Sequence, residues 1–325
     1  MKQKISKKDK FSTRFENKIK KNINLSDHTT LKIGGPAENF MIVKSTDEMI
    51  DAVILARHAN IPVFIIGGGS NILVGDKGIE GLVIKNNSQA ISIRGAKGVV
   101  NKNHTNRSVY VEVDSGVFMN QLVRFTVSEG LKGLEMHLGL PGTVGGAIYM
   151  NSKWTKPVSY VGDVLYQARI LTPKNEIKIV PRSYFKFKYD YSYLQDSGDI
   201  LLSCIFCLSS ASKKDLWKTA NDSMEYRKKS QPFGVFSAGC IFKNYNSGSS
   251  EAKTSFKSAG KLIDQMGFKG KKCGDAYVSS RHANFIINKK KARACDMLEL
   301  ITDIKKSARK NGVKLDEEII KVGKF

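Results

Sequence analysis

The chain has 325 residues, enough for two or three domains with buried cores, and its hydrophobic fraction of 41% is ordinary for a globular protein. No apolar run approaches the length of a membrane span, and no apolar segment of a secretory signal follows the basic N-terminus, so we expect a cytoplasmic protein without membrane contact. The formal net charge of +23 favours anionic partners.

This positive charge does not by itself predict nucleic-acid binding. The lysines are spread along the whole chain, and the sequence has no zinc-finger spacing, RRM signature or basic–aromatic repeat. We therefore expect anionic small molecules as partners and no specific nucleic acid.

The five cysteines form no dense framework. Cys204 and Cys207 lie three residues apart in a predicted strand, which places them on opposite faces. We interpret them as thiols of the core, with no metal site and no disulfide.

The first part of the chain predicts a lysine-rich extension and then a β/α unit. Residues 1–24 have few apolar anchors and predict a mobile or partly helical segment. A strand over 40–43 is followed by a helix that begins with a capping box at Ser45 and Glu48 and ends before Pro62. A strand over 63–66 completes the βαβ unit.

From about residue 86 the pattern changes to short strands. It predicts strands over 90–94, 108–114, 164–171, 176–180 and 200–208, a helix over 118–129, and a polar hairpin loop over 98–107. Residues 209–214 are small and polar, and we place a domain boundary there. Beyond it we predict helices over 215–229, 259–267 and 292–311 and strands over 284–288 and 318–322.

Two glycine-rich stretches lie between these elements. Residues 139–147 read GLPGTVGGA, and residues 67–71 read GGGSN directly after a predicted buried strand. Such stretches let the backbone approach a flat or anionic group closely. Neither matches the GxGxxG fingerprint or a Walker A loop, which disfavours NAD-type Rossmann binding and P-loop chemistry.

These stretches, together with residues 30–37 (TLKIGGPA), resemble the FAD domain of the UDP-N-acetylenolpyruvoylglucosamine reductase family, the MurB family. Three C-terminal motifs match in order, so the resemblance runs from about Leu25 to the end. It implies an FAD- and NADPH-dependent enzyme that reduces UDP-N-acetylglucosamine enolpyruvate to UDP-N-acetylmuramate in peptidoglycan precursor synthesis. The third domain has no obvious long insertion, which indicates the compact branch of the family.

The resemblance also implies the architecture. We expect an α/β fold with a two-lobed FAD-binding domain of the vanillyl-alcohol-oxidase/p-cresol-methylhydroxylase type, with lobes over 25–85 and 86–212, and a C-terminal α/β substrate domain over 213–325. We expect a monomer. The implied cofactor-binding residues are Gly34, Gly67, Gly68, Gly69, Ser70, Asn71, Gly139, Pro141, Gly142, Thr143, Gly145, Gly146 and Ala147.

The resemblance implies catalytic residues as well. Cys240 takes the position of the serine that gives a proton to the substrate, and a thiol is a stronger acid than a hydroxyl. Glu318 takes the position of the catalytic glutamate. Asp190 stands where the family has an arginine, and an acid cannot stabilise a developing enolate by charge, so we expect Lys188, Lys186 or another cation to take over or catalysis to be impaired.

The resemblance implies substrate binding for seven residues in the second half of the chain: Tyr189, Arg227, Gln231, Lys243, Asn244, Lys261 and His282. Two alternative functions stay open. A related FAD oxidase acting on another substrate is disfavoured by the Cys240 and Glu318 motifs. A flavin- or nucleotide-sugar-binding protein that has lost turnover is suggested by Asp190.

Overall fold

The structure is a computed structural model that describes residue 15 and residues 17–101, 104–246 and 256–325. Its contacts divide the chain into two compact units. Unit 1 contains the described residues up to Ile19, Met41–Gly68 and Ile84–Arg227, and unit 2 contains Lys20–Phe40, Gly69–Val83 and Lys228–Phe325. The predicted domain segments 25–85, 86–212 and 213–325 follow another division and stay a prediction.

The first elements form a β/α pattern as predicted. They are β1 Lys20–Asn24, β2 Pro36–Val43, α1 Thr46–His58, β3 Val63–Ile66, β4 Ile72–Val74 and β5 Ile79–Asn86. One sheet has the order β1-β2-β5-β3. The helix α1 begins where the capping residues predict, since Ser45 Oγ accepts the N–H of Glu48 at 3.2 Å and Glu48 Oε2 accepts the N–H of Lys44 at 2.8 Å.

The expectation of a mobile or partly helical segment is wrong for its last five residues. β1 pairs antiparallel with β2, from Lys20 opposite Phe40 to Asn24 opposite Pro36. Most side chains of β1 are exposed, so backbone pairing stabilises the strand and the sequence shows no apolar pattern there. The prediction for residues 1–14 and 16 lies outside the described residues.

Unit 1 is built around a six-stranded antiparallel sheet. Its strands are β6 Ile91–Asn101, β7 His104–Asp114, β8 Leu131–Lys132, β11 Leu165–Leu171, β12 Ile177–Pro181 and β13 Ile200–Ser210. The order is β12-β11-β13-β7-β6, and β8 also pairs with β13. A hairpin, β9 Lys153–Thr155 and β10 Val158–Tyr160, lies outside this sheet, and the helices of the unit after α1 are α2 Met119–Ser128, α3 Val144–Met150, α4 Leu194–Ser197 and α5 Lys213–Ser230. Fully buried Val111, Leu122 and Phe206 belong to its core.

The described residues of the predicted loop, 98–101 and 104–107, lie in strands. β6 and β7 stay paired as far as Asn101 opposite His104, so both strands run well beyond their predicted ends. Backbone pairing between neighbouring strands tolerates polar side chains on both faces, which removes the alternation on which the prediction relied.

The surroundings of Cys204 and Cys207 on β13 agree with their interpretation as thiols of the core. Cys204 is buried, Cys207 is half-buried, and both are free. Burial raises the pKa of the Cys204 thiol above its usual range. Among the described residues, no group of three or more His, Cys, Asp or Glu could hold a metal ion.

Unit 2 contains a second, smaller sheet with the order β14-β19-β18-β17. Its remaining elements are β14 Phe236–Ser237, β15 Tyr245–Asn246, β16 Phe256–Lys257, α6 Ala259–Gln265, β17 Lys272–Cys273, β18 Ala276–Val278, β19 Ile286–Asn288, α7 Ala294–Lys310 and β20 Ile320–Val322. β20 pairs in parallel with β4. The amphipathic helix α7 buries Met297, Ile301 and Ile304 in the core of the unit, as its pattern predicts. No helix in the described part of the chain has the length and apolar content to cross a membrane.

Candidate active site

In unit 1, the glycine loop after β3 packs against the glycine loop before α3. A Cβ atom on Gly68 would lie 2.7 Å from Gly142 Cα, and one on Gly67 would lie 2.3 Å from Thr143 Oγ1. Neither position has room for a side chain, so the close approach of the two backbones requires glycine at both. Part of the glycine density therefore serves the packing of the loops against each other.

The same loops present backbone donors. Val144 and Gly145 each donate an N–H at 2.8 Å to carbonyls of the segment before α2, which fixes the second loop. The N–H groups of Gly68 and Gly142 have no acceptor among the described residues, and both glycines are half-buried. Two such donors on adjoining loops fit an anionic group such as the diphosphate of FAD.

The other predicted cofactor residues of the second loop differ in their surroundings. Gly139 has φ +84°, and a Cβ there would lie 2.5 Å from Met224 Sδ. Gly146 is exposed, and a Cβ there would meet no atom closer than Thr143 Oγ1 at 4.0 Å. The remaining residues of this loop range from exposed to buried: Pro141 is exposed, Gly145 is half-buried, and Thr143 and Ala147 are buried.

In unit 2, two of the predicted cofactor glycines have packing roles. Gly69 has φ +65°, and a Cβ there would lie 2.3 Å from the carbonyl oxygen of His28. A Cβ on Gly34 would lie 3.0 Å from Val74 Cβ. Ser70 is half-buried. Close packing within unit 2 accounts for these two glycines, and their contact with a cofactor stays a prediction.

Three motifs that are distant in sequence meet in unit 2. Asn71 Nδ2 donates to the carbonyl oxygen of Glu318 at 3.1 Å, and the N–H of Glu318 donates to the carbonyl oxygen of Ile241 at 2.8 Å. The N–H of Ile320 donates to the carbonyl oxygen of Asn71 at 3.0 Å. Because Cys240 precedes Ile241, the fold brings the loops of both predicted catalytic residues and of Asn71 together.

The Cys240 loop is held by a buried asparagine. Asn284 Nδ2 donates to the carbonyl oxygen of Phe242 at 2.8 Å, and Asn284 Oδ1 accepts the N–H of Phe242 at 3.0 Å. The carbonyl oxygen of Asn284 accepts the N–H of Ile241 at 2.9 Å. Cys240 itself is half-buried and forms no disulfide. Bonds on both sides of Ile241 and Phe242 fix the main chain that carries this thiol.

His282 lies beside the same asparagine. Its Nδ1 accepts the N–H of Asn284 at 3.3 Å, and its ring packs edge-on against Phe285 at 4.9 Å between centroids. A Cβ on Gly260 would lie 3.0 Å from His282 Cε1. Burial is the main cause that lowers the pKa of His282 below its ordinary value. Its predicted contact with substrate stays a prediction.

The two adjacent glutamates before β20 have different surroundings. Glu317 lies 2.5 Å from Lys305 Nζ and 2.9 Å from Lys321 Nζ, with a side chain that is 12% exposed. Burial acts to raise the pKa of Glu317, but the hydrogen bonds from the two lysines lower it below its ordinary value. Glu317 is engaged in ion pairs, and half-buried Glu318 is the carboxylate predicted for catalysis.

Of the predicted substrate residues of unit 2, Lys261 lies on α6 and Asn244 bonds to its first residue. Asn244 Oδ1 accepts the N–H of Ala259 at 3.1 Å. The N–H of Lys243 bonds to the main chain before β20 at 2.9 Å, and Lys243 is half-buried. Lys261 is exposed on the first turn of α6, and Gln231 is half-buried. These positions stay predictions, since their contacts here are within the protein.

In unit 1, Arg227 is a half-buried cation with two buried donor atoms that are unused within the described part of the chain. Its guanidinium lies 5.0 Å from the ring centroid of Trp154, and its Nε and Nη2 atoms are buried with no hydrogen-bond partner among the described residues. Burial lowers the pKa of Arg227 to about 10. Burial and, second, the charge of Arg227 lower the pKa of His137 to about 3, so this histidine is neutral. Unused buried donors on a cation are suited to an anionic ligand.

Asp190 lies in a tight turn of unit 1. The N–H of Lys188 donates to the carbonyl oxygen of Tyr191 at 3.1 Å across the turn, and Asp190 has φ +49°. The Asp190 side chain is only 6% exposed, and the ammonium of Lys153 on β9 lies 3.8 Å from its Oδ1. The same ammonium lies 3.3 Å from the ring centroid of Tyr189.

The lysines expected to replace the family arginine lie elsewhere on this segment. Lys188 is exposed, with its Nζ 5.6 Å from the ring centroid of Tyr191. Lys186 is exposed as well, with its Nζ 4.4 Å from the ring centroid of Tyr193.

The sequence analysis missed Lys153, Trp154 and His137. Lys153 and Trp154 directly follow the glycine-rich motif and α3, and that position was the available signal. His137 lies two residues before the motif. A lone buried histidine carries no sequence signal of its own.

Comparison with known proteins shows first which class of protein the chain belongs to, and then which family. A family model described as an FAD binding domain matches residues 37–180, which together with the two glycine loops makes the chain a flavoprotein of mixed α/β fold, as predicted. The model of the UDP-N-acetylenolpyruvoylglucosamine reductase C-terminal domain matches residues 231–322. The chain belongs to the UDP-N-acetylenolpyruvoylglucosamine reductase family.

Individual relatives support this membership over nearly the whole chain. The UDP-N-acetylenolpyruvoylglucosamine reductase of Caldicellulosiruptor bescii is 35% identical over 307 residues, 93% of this chain and 90% of that protein. That of Chlamydia felis is 32% identical over 301 residues, 93% of each chain. The crystal structure of the enzyme from Thermus caldophilus is 30% identical, with a TM-score of 0.74, covering 93% of this chain and 98% of that one.

Proposed function

We propose that this protein uses FAD and NADPH to reduce UDP-N-acetylglucosamine enolpyruvate to UDP-N-acetylmuramate in peptidoglycan precursor synthesis, which is UDP-N-acetylmuramate dehydrogenase activity. The observation that carries the proposal is the meeting of the Asn71, Cys240 and Glu318 loops in unit 2, joined by hydrogen bonds of 2.8–3.1 Å. The names of the relatives supply the substrate. We infer further that the enzyme works in the cytoplasm as a monomer.

The amides of Gly68 and Gly142 would hold the diphosphate of FAD. When bound, FAD supplies the hydride that NADPH provides and that the methylene carbon of the substrate receives. The side chains have two tasks: to offset the negative charge that develops beside the substrate carboxylate, and to give a proton to the adjacent carbon.

Cys240 performs the proton transfer in this proposal. Its side chain is half-buried and forms no disulfide, and the main chain around it is fixed by Asn284. A thiol held in one place is suited to general acid catalysis, which contributes roughly 10²-fold to 10⁴-fold to a rate. Glu318, on the segment bonded to Ile241, is the second group for proton handling.

Binding of the anionic substrate falls to cationic and polar side chains. Arg227 has buried donors available for a phosphate or carboxylate. Six further residues would contribute the rest: Tyr189, Gln231, Lys243, Asn244, Lys261 and His282. The net charge of +23 raises the local concentration of such an anion.

The test separates the two half-reactions by stopped-flow absorbance of the flavin. In Cys240→Ala we expect reduction by NADPH to stay close to wild type and reoxidation by the enolpyruvyl substrate to slow roughly 10²-fold to 10⁴-fold, because only reoxidation needs the proton. Cys240→Ser should recover much of the rate. Equal slowing of both half-reactions, or of neither, would remove Cys240 from the mechanism.

The wild-type protein decides between the proposal and its alternatives. Reoxidation of the reduced flavin by the UDP-enolpyruvyl sugar supports the reductase. Turnover with another electron donor and oxygen, independent of that sugar, would indicate an FAD oxidase. Binding of the sugar without reoxidation would indicate lost turnover, the alternative that the carboxylate of Asp190 favours.

A further inference from the structure

A buried carboxylate occupies the position where a cation is expected. The Asp190 side chain is 6% exposed, and the main chain of its turn is closed by the Lys188–Tyr191 hydrogen bond. An ionised carboxylate in such a place requires a nearby cation, since the free energy of desolvation is otherwise uncompensated. Lys153 provides it at 3.8 Å.

Lys153 is held on more than one side. Its Nζ lies 3.3 Å from the ring centroid of Tyr189, so the ammonium contacts both an aromatic face and the Asp190 carboxylate. In the β9–β10 hairpin Lys153 pairs with Tyr160, which is half-buried. The Lys153 side chain is 20% exposed, so part of it is accessible from solvent.

The Asp190 turn is fixed to the helix that follows the second glycine loop. Asn151 Nδ2 donates to the carbonyl oxygen of Lys188 at 2.9 Å. Ser192 Oγ and Gln195 Nε2 both donate to the carbonyl oxygen of Tyr149, at 2.8 Å and 2.9 Å. Since α3 has seven residues, it spans roughly 10 Å. The Asp190 turn, which holds the Lys153 ammonium, is therefore hydrogen-bonded within unit 1 to the helix that begins in the loop that fits the cofactor.

We propose that Lys153 supplies the positive charge that stabilises the enolate, with Asp190 and Tyr189 positioning its ammonium. Hydride addition to the methylene carbon moves the C=C electron pair onto the neighbouring carbon and its carboxylate. The ammonium offsets this charge and keeps its protons, and the neighbouring carbon then takes a proton from a general acid, which regains one from solvent. This inference rests on the proposed function. It names Lys153, instead of Lys188, as the residue that takes over the role of the family's arginine.

The experiment measures both half-reactions in flavin-loaded wild type, Lys153→Met, Lys153→Arg and the control Lys156→Met, an exposed lysine of the same hairpin. For Lys153→Met we expect reoxidation by the UDP-enolpyruvyl sugar to slow roughly 10²-fold to 10³-fold, the effect of losing one preorganised charge at a developing anion. Reduction by NADPH should stay within about twofold of wild type, and Lys153→Arg should recover at least tenfold over Lys153→Met. The control should behave as wild type.

A second variant separates this role from charge neutralisation of Asp190. Lys153→Met alone leaves a buried carboxylate without its cation and lowers folded yield if that pairing is essential. Lys153→Met with Asp190→Asn removes both charges, so it should fold, load flavin and still reoxidise slowly. Recovery to within about threefold of wild type in this double variant would overturn the proposal, as would near wild-type reoxidation in Lys153→Met or slow reoxidation confined to Lys188→Met.

The wild-type measurement distinguishes failure of this inference from failure of the proposed function. If wild-type reduced flavin is not reoxidised by the UDP-enolpyruvyl sugar, the function and the role of Lys153 both fall. If wild type turns over and Lys153→Met does so equally, only the role of Lys153 falls.

Discussion

Gly68→Ala tests whether FAD binding depends on the contact between the two glycine loops. The added Cβ would lie 2.7 Å from Gly142 Cα, 0.7 Å short of the 3.4 Å at which ordinary contacts begin. Its neighbour is main chain, which cannot rotate away, so the loops must separate. Overpacking of this kind costs about 1–3 kcal/mol.

The cost falls on the cofactor-bound state. Without FAD the two loops can move apart and relieve the contact, whereas a diphosphate bonded to the amides of Gly68 and Gly142 requires them close together. At about 1.4 kcal/mol for each tenfold change in affinity, we expect the Kd for FAD to rise roughly 5-fold to 150-fold.

The assay is titration of apoprotein with FAD, followed by quenching of flavin fluorescence. Gly98→Ala is the matched control, because Gly98 is exposed on β6 and a Cβ there meets no atom within 4 Å. An unchanged Kd for FAD in Gly68→Ala, with the Tm of the apoprotein also unchanged, would refute the contribution of this contact to cofactor binding.

Three other substitutions test individual positions. In Gly146→Ala the Cβ meets no protein atom closer than 4.0 Å, so we expect an unchanged apoprotein Tm and weaker FAD binding in titration, and full FAD affinity would place the cofactor away from this residue. Arg227→Met should raise the Kd for the UDP-sugar roughly tenfold or more, measured by calorimetry, because a charged hydrogen bond contributes about 1.5–3 kcal/mol, with flavin content as the control. His137 has a folded-state pKa of about 3, against an ordinary value of 6.5. Its contribution to stability is complete above about pH 6.5 and is lost as the pH falls towards 3, because the unfolded chain then binds a proton that the folded chain does not. Between pH 8 and pH 5 we expect the free energy of unfolding, measured with urea, to fall by about 2 kcal/mol. The same measurement on His137→Phe should show a smaller loss, and an equal loss would assign the pH dependence to other groups.

Elements with local signals could be predicted from the sequence. The helix α1 follows from its capping residues, because Ser45 and Glu48 bond to main chain within a few residues. The helix α7 follows from its apolar periodicity, since Met297, Ile301 and Ile304 need one continuous face against the core. In both cases the cause of the structure lies within the segment itself.

Elements that depend on pairing with another strand could not be predicted. The outer part of the β6–β7 pair and the whole of β1 form because another strand offers its backbone donors and acceptors. The residues involved are polar or exposed and leave no alternation to detect. The same holds for the glycines: their density was visible, but the sequence could not show that Gly67 and Gly68 contact the second glycine loop.

The charge at the arginine position illustrates the same limit within the candidate site. From the sequence, Asp190 stands where the family has an arginine, and the nearby Lys188 and Lys186 were predicted as candidates to supply the missing charge. Both lysines are exposed, however, with their ammonium groups near the rings of Tyr193 and Tyr191 and not in the ion pair that joins Asp190 to Lys153. A buried acid is compensated by whichever cation the tertiary structure brings to it, and here that cation is Lys153 on a hairpin that precedes the turn by more than thirty residues. If Lys153 stabilises the enolate, this protein keeps the positive charge that the family's arginine provides. The charge then comes from the β9–β10 hairpin and not from the turn that contains Asp190.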